Sequence, residues 1–111
     1  MYNQENATET LRQLTMSNNP VGTLTMFLGA YHIAFSSKEY NVSFKFKARA
    51  KNSVNYCKIT LTAMDDYTME LGRIRDKQGV PTYKKVEEID GLYWEDLKGA
   101  FERHTGLYLS L

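Results

Sequence analysis

The chain has 111 residues, of which 42% are hydrophobic, 13% aromatic and 24% charged. That length and balance describe one folded domain with a single core, and they exclude a disordered tail or a two-domain enzyme. Fourteen Lys and Arg against thirteen Asp and Glu give a formal charge of +1, which excludes a protein that coats polyanions through bulk charge alone. The one cysteine rules out an internal disulfide and a cysteine-rich metal site. The start, Met1 to Glu5, has neither the basic nor the apolar region of a secretory leader, and no apolar run is long enough to span a bilayer. The sequence therefore reads as a cytoplasmic protein with no membrane partner. Residues 1–111 form a single domain, with residues 1–5 read as a loose N-terminus.

Asn6, with Glu9 three residues later, has the form of a capping box, and Ala7, Leu11 and Leu14 follow at helical spacing. This helix ends before Ser17-Asn18-Asn19-Pro20, because Pro20 disfavours helical geometry at Asn19. Leu24, Met26 and Leu28 then alternate with Thr23, Thr25 and Phe27 as in a strand, and Tyr31, Ile33 and Phe35 continue the alternation. The clearest strand pattern runs from Val42 to Lys51. Val42, Phe44, Phe46, Ala48 and Ala50 fall on one face, and Ser43, Lys45, Lys47, Arg49 and Lys51 on the other. Cys57, Ile59 and Leu61 mark the next strand, and Tyr67, Met69 and Leu71 the one after. Arg75 to Gly79 reads as a charged connection. Pro81 directs the segment Tyr83 to Ile89 to a sheet edge. A second helix is expected from Tyr93 to His104, with Gly106 as its left-handed stop. The tail from Leu107 to Leu111 is apolar enough to pack on the sheet. These elements predict an α+β fold: a single antiparallel sheet of four to six strands flanked by an N-terminal and a C-terminal helix.

Three blocks carry a resemblance. The first joins Gly29-Ala30 and Ile33 to Ser43-Phe44-Lys45-Phe46. The second runs from Asn55 to Leu61, continuing through Met64-Asp65, Tyr67 and Glu70-Leu71. The third is Gly91-Leu92-Tyr93 with Leu97, Phe101 and the ending from His104 to Leu111. In these blocks the chain resembles a family of small uncharacterised proteins encoded by bacteriophages and bacterial mobile elements. The resemblance implies a mobile-element setting and no particular reaction. By analogy it suggests a protein that occupies a surface on host machinery.

Charge is segregated along the chain. Between Val42 and Thr62 there are five positive residues and no acid, whereas Ala63 to the end has ten acids and seven bases. Lys45, Lys47, Arg49, Lys51 and Lys58, with Tyr56 among them, form the first candidate surface. It suits a protein partner or, through its cations, a phosphate backbone. The plain alternative is an ordinary solvated sheet face. Tyr83, Tyr93 and Trp94 form a second candidate protein-contact surface, since aromatic residues concentrate where interfaces lose water. A basic middle and a more acidic C-terminal half also leave a homodimer open.

No catalytic constellation emerges. His32 and His104 lie far apart with no carboxylate–histidine spacing, so no metal or cofactor is expected. Cys57 sits among strand residues as a buried thiol, Asp65 and Asp66 read as turn residues, and the glycines form no phosphate loop. The leading expectation is a non-enzymatic, protein-binding accessory factor of a phage or mobile element, with inhibition of a host protein or a defence complex such as CRISPR as a candidate action. The alternative is a sequence-nonspecific nucleic-acid binder using the basic strand face. A small enzyme comes third.

Overall fold

Asn3 starts the first element. In a computed structural model describing residues 2–110, its side chain accepts from the Asn6 backbone N–H at 2.9 Å, while the Asn6 side chain accepts from the Asn3 N–H at 2.9 Å. This reciprocal cap sits three residues before the expected Asn6–Glu9 box and opens α1, Gln4–Thr15. Residues 2–5 are thus part of the fold rather than a loose terminus: Tyr2 is buried and shares a 2.9 Å hydrogen bond with Thr10. Met1 and Leu111 lie outside the described residues.

The segment expected to alternate as a strand around Leu24 is helical. Asn19 caps it, Pro20 occupies its first turn, and α2 runs over Pro20–Leu28 to a left-handed Gly29. Leu24 and Leu28 are buried four residues apart while Met26 is 73% exposed, the signature of a helix face and not of a strand.

The chain then builds one antiparallel sheet in sequence order from β1 (Tyr31–Ser36), β2 (Asn41–Lys45), β3 (Tyr56–Leu61), β4 (Tyr67–Lys77) and β5 (Val80–Leu92). Both β1 and β5 are edges, so Pro81 lies in an edge strand as its missing N–H requires. A 3₁₀ turn at Trp94–Asp96 leads into α3, Leu97–Thr105, which is shorter than the expected Tyr93–His104 helix and stops at a left-handed Gly106. The fold is α+β, with α1 and α2 preceding the sheet and α3 following it.

The expected ten-residue strand from Val42 ends after Lys45. Phe46 remains buried, but the N–H groups of Lys47 and Ala48 both donate to the Leu28 carbonyl, at 3.1 and 3.0 Å. The C-terminal end of α2 thereby draws the chain out of the sheet, and Lys51–Ser53 closes as a 3₁₀ turn. The expected connection at residues 75–79 is instead the tip of a hairpin. Lys77 pairs with Val80, and the two loop residues Gln78 and Gly79 have φ of 53° and 81°, the positive-φ pattern of a type I′ turn.

One sheet face carries the core. Phe44, Phe46 and Phe101 form a ring cluster with centroids 5.8–6.3 Å apart, which joins α3 to β2 and the residue beyond it. Leu11 and Leu14 of α1, together with Leu97 and Ala100 of α3, are buried in the same core as Cys57, Ile59, Met69 and Leu71. Of the apolar tail, Leu109 is buried in the core and Leu107 half-buried, whereas Tyr108 points to solvent.

The β4–β5 pairing contains a shift that positions the surface. Leu71 pairs with Glu87 but Gly72 pairs with Lys85, leaving Val86 as an extra residue in β5. Below that bulge the facing of β5 is inverted relative to its upper half.

Candidate functional site

The sheet face opposite the core carries the site. On β2 and β3 the core face takes Val42, Phe44, Cys57 and Ile59, so Lys45, Tyr56 and Lys58 point the other way. Register aligns Lys45 with Tyr56 and Tyr56 with Gly72, and it places Ser43, Lys58 and Glu70 in the adjoining row. Ile74 pairs with Tyr83 further along.

Tyr83 lies across Gly72. Its ring meets Tyr56 edge-on with centroids 5.4 Å apart, and its hydroxyl donates to Glu70 Oε2 at 2.5 Å. Lys58 Nζ stands 3.7 Å from the other Glu70 oxygen. Partial burial, and then the hydrogen bond to Glu70, push the Tyr83 phenol well above its ordinary value. Glycine at position 72 is required by this arrangement, because a Cβ there would collide with the Tyr83 ring and hydroxyl. The result is an open concavity of about 420 Å³ lined by Lys45, Tyr56, Lys58, Glu70, Ile74 and Tyr83. A smaller one of about 170 Å³ adjoins it, where Tyr31, Asn55 and Pro81 meet Lys45 and Ile74. Aromatic and aliphatic side chains form the floor, and charge of both signs stands around it.

The expected basic row does not form as a row. Only Lys45 and Lys58 share the open face, and Lys58 is paired with Glu70. Lys47 lies beyond β2 with Nζ 5.6 Å from the centroid of the Tyr31 ring. Arg49 is exposed in the following loop. Lys51 Nζ donates to the Arg103 carbonyl at 3.3 Å, which satisfies a carbonyl at the C-terminal end of α3. The cause is the early end of β2: alternation of side chains holds only while the backbone stays extended.

The second expected surface also divides. Tyr83 belongs to the aromatic concavity, while Tyr93 and Trp94 lie at the other end of β5, on the order of 30 Å away at strand rise. Tyr93 and Trp94 are both exposed, and Trp94 closes a shallow cavity of about 350 Å³ with Arg12, Gln13 and Met16. Ile74, Pro81 and Asn55 join the first site without having been singled out from sequence. The Gln78-Gly79 pair was the available signal, since a two-residue turn there sets Ile74 opposite Tyr83.

Cys57, His104 and Asp66 each lie in a local structural setting. Cys57 is fully buried, and burial followed by the nearby Glu70 charge pushes its thiol far up. His104 Nδ1 lies 3.2 Å from Glu87, and the Asp66 carboxylate accepts from the Thr62 hydroxyl at 2.5 Å within a turn. Glu70, Glu88 and Asp90 do not converge with Glu87, which faces the helices. Among the described residues, no group of three or more His, Cys, Asp or Glu side chains is placed to hold a metal ion, and no helix is long and apolar enough to cross a membrane. No known protein family, curated protein or solved structure matches the chain.

Proposed function

We propose that the protein is a non-enzymatic accessory factor of a phage or mobile element that acts by occupying a surface of a host or element-encoded protein. Obstruction of a host defence complex, such as a CRISPR effector, is the form of action that suits a small binding module. The observation that carries this reading is the concavity floored by Tyr56, Ile74 and Tyr83 on the sheet face that the helices leave open. Rigid tyrosines offer a large contact area with little rotamer entropy to lose, and the Glu70 and Tyr56 contacts hold Tyr83 in place before any partner arrives. Lys45, with Lys58 and Glu70, supplies a charged rim that sets orientation. Phosphate recognition through the Lys45–Lys58 series has less support, because Lys47 and Lys51 are directed elsewhere and Lys58 already has an acidic partner.

The test is affinity capture from bacterial host lysate, with and without nuclease, using the wild-type chain and a Tyr56→Ala/Tyr83→Ala variant. The expected result is a nuclease-resistant, stoichiometric protein that the wild type retains and the variant loses. Trp94→Ala serves as a parallel variant at the other end of β5. Equal capture by wild type and the tyrosine variant would overturn the placement of the contact surface, and no retained protein in any lane would overturn the function.

A further inference from the structure

We propose that the reverse face of the β4–β5 arm is a cationic ribbon that binds duplex nucleic acid through its phosphates. It lies on the other side of the arm from the aromatic concavity and stands independently of the protein-binding reading. β3 begins at Tyr56, opposite Gly72, so the arm from Arg73 to Lys84 extends past the rest of the sheet as a two-stranded ribbon. Its base is clasped by Asn55, whose side-chain amide donates to the Ile74 carbonyl at 2.9 Å and accepts from the Ile74 N–H at 2.8 Å. Its tip is the tight Gln78–Gly79 turn. The arm is therefore a projection held at its base and closed by a tight turn at its tip.

Strand alternation divides its side chains. Ile74, Asp76, Pro81 and Tyr83 line the concavities on the open face. Arg73, Arg75 and Lys77 lie on the opposite side at every second position, about 6.6 Å apart along the strand, and Lys84 pairs across from Arg73. No acid shares that side of the arm, since its one carboxylate, Asp76, faces the concavity. None of the four cations forms an ion pair with an acid among the described residues. Glu87, an acid beyond the arm's base on that side, lies 3.2 Å from His104 Nδ1. Four close, unneutralised cations repel one another, so this face gains from an external anion with repeated charges.

The kind of anion follows from the rest of the face. Two arginine forks suit phosphate oxygens, and a two-stranded ribbon fits a duplex major groove. The arm's one aromatic ring, Tyr83, is on the other side, so stacking on single-stranded bases is unavailable to this face. Strand alternation sets Val80 and Thr82 between the cations, and neither Val80 nor Thr82, which also borders the concavity and whose hydroxyl donates to the Arg75 carbonyl, offers a large anchor for an acidic protein.

The experiment is fluorescence anisotropy with a short labelled DNA duplex of arbitrary sequence, titrated across salt concentrations. Four phosphate contacts give a slope of log affinity against log salt of about −3.6, or roughly a hundredfold weakening between about 50 and 200 mM salt. R75E/K77E is expected to halve that slope and weaken binding to duplexes of any sequence. R75A/K77A tests the same loss without introduced charge, and thermal melting confirms that both fold. K38E, in the exposed turn between β1 and β2, is expected to leave the slope unchanged. The proposal is overturned by no binding at low salt, by equal slopes for wild type and the R75A/K77A variant, or by tighter binding to single strands. Equal competition by polyglutamate would also overturn it, and would assign the ribbon to an acidic protein.

Discussion

Gly72→Ala separates the aromatic concavity from the fold that bears it. The new Cβ would occupy the space taken by the Tyr83 ring and hydroxyl, and the ring, on an edge strand and 47% exposed, can swing outward without moving the backbone. The displacement removes the edge-on contact with Tyr56, worth about 1 kcal/mol, and a partly exposed hydrogen bond to Glu70, worth about another 1 kcal/mol. Alanine in place of glycine within a strand returns about 0.5–1 kcal/mol of backbone entropy. The net loss is then about 1–1.5 kcal/mol, a fall in melting temperature of about 5 °C for a domain of this size. Tyr83 titration should change much more visibly. Freed from partial burial and from Glu70, its phenol should move down toward its ordinary value, which ultraviolet absorbance of tyrosinate records. Partner capture should fall, as is expected for the Tyr56→Ala/Tyr83→Ala variant. An unaltered phenol titration in Gly72→Ala would refute the packing of Tyr83 on Gly72. A loss above about 4 kcal/mol would show that the backbone, and not the ring, gives way.

Gly99→Ala is the contrasting glycine: a Cβ there meets nothing within 4 Å in the helical segment α3, so urea unfolding should show a gain of about 1 kcal/mol. Asn55→Ala removes both side-chain hydrogen bonds to Ile74, and amide exchange at Ile74 and along the arm should accelerate about tenfold or more while the core amides hold their protection. Cys57 has its folded-state pKa raised above the ordinary 9.0 by burial, so the folded chain keeps a proton that the unfolded chain releases. Its contribution is complete below about pH 9 and declines above it by about 1.4 kcal/mol per pH unit; comparing urea unfolding at about pH 8 and about pH 10 should show a smaller decline in Cys57→Ala. Deleting Val86 removes the bulged residue of β5 while Glu87 keeps its partner Leu71 and Lys85 its partner Gly72, so the strand becomes regular and Tyr83 should stay on the open side with Lys84 on the cationic side. Retention of the raised Tyr83 titration, with the far-ultraviolet strand signal unchanged, is the expected result, and its loss would refute the assignment of Val86 as the extra residue.

Most of the sheet was legible because its inner strands alternate cleanly and one face is buried. Val42 and Phe44, Cys57 and Ile59, and Met69 and Leu71 each keep the parity read from the sequence. The α2 segment was misread because Leu24 and Leu28 satisfy both periods: four residues apart, they share a face in a strand and in a helix alike. Met26 could distinguish the two only through its exposure, which tertiary packing sets. The cue that pointed correctly was Asn19-Pro20. Taken as the end of one helix, it also caps and starts the next. The run from Phe46 to Lys51 failed for a different reason. Its alternation is real in the sequence, but the Leu28 carbonyl takes the Lys47 and Ala48 N–H groups, a long-range contact that no local pattern records.

The site was half legible for the same physical reasons. Lys45, Tyr56 and Lys58 share a face because β2 and β3 are regular and paired in register, which alternation alone anticipates. Lys47, Arg49 and Lys51 leave that face once the strand ends. Tyr83 reaches it through the Val86 bulge. Had residues 83–89 alternated without a break at Val86, parity counted from Ile89 would turn Tyr83 toward the helices and Lys84 toward the open face. The bulge thus sorts the arm into an aromatic side and a cationic side with a single unpaired residue. Composition could not reveal this, because Ala63 to the end of the chain averages to a net acidic segment while four unneutralised cations gather on one side of the arm within it. Charge acts through position on a surface, and here position is fixed by register.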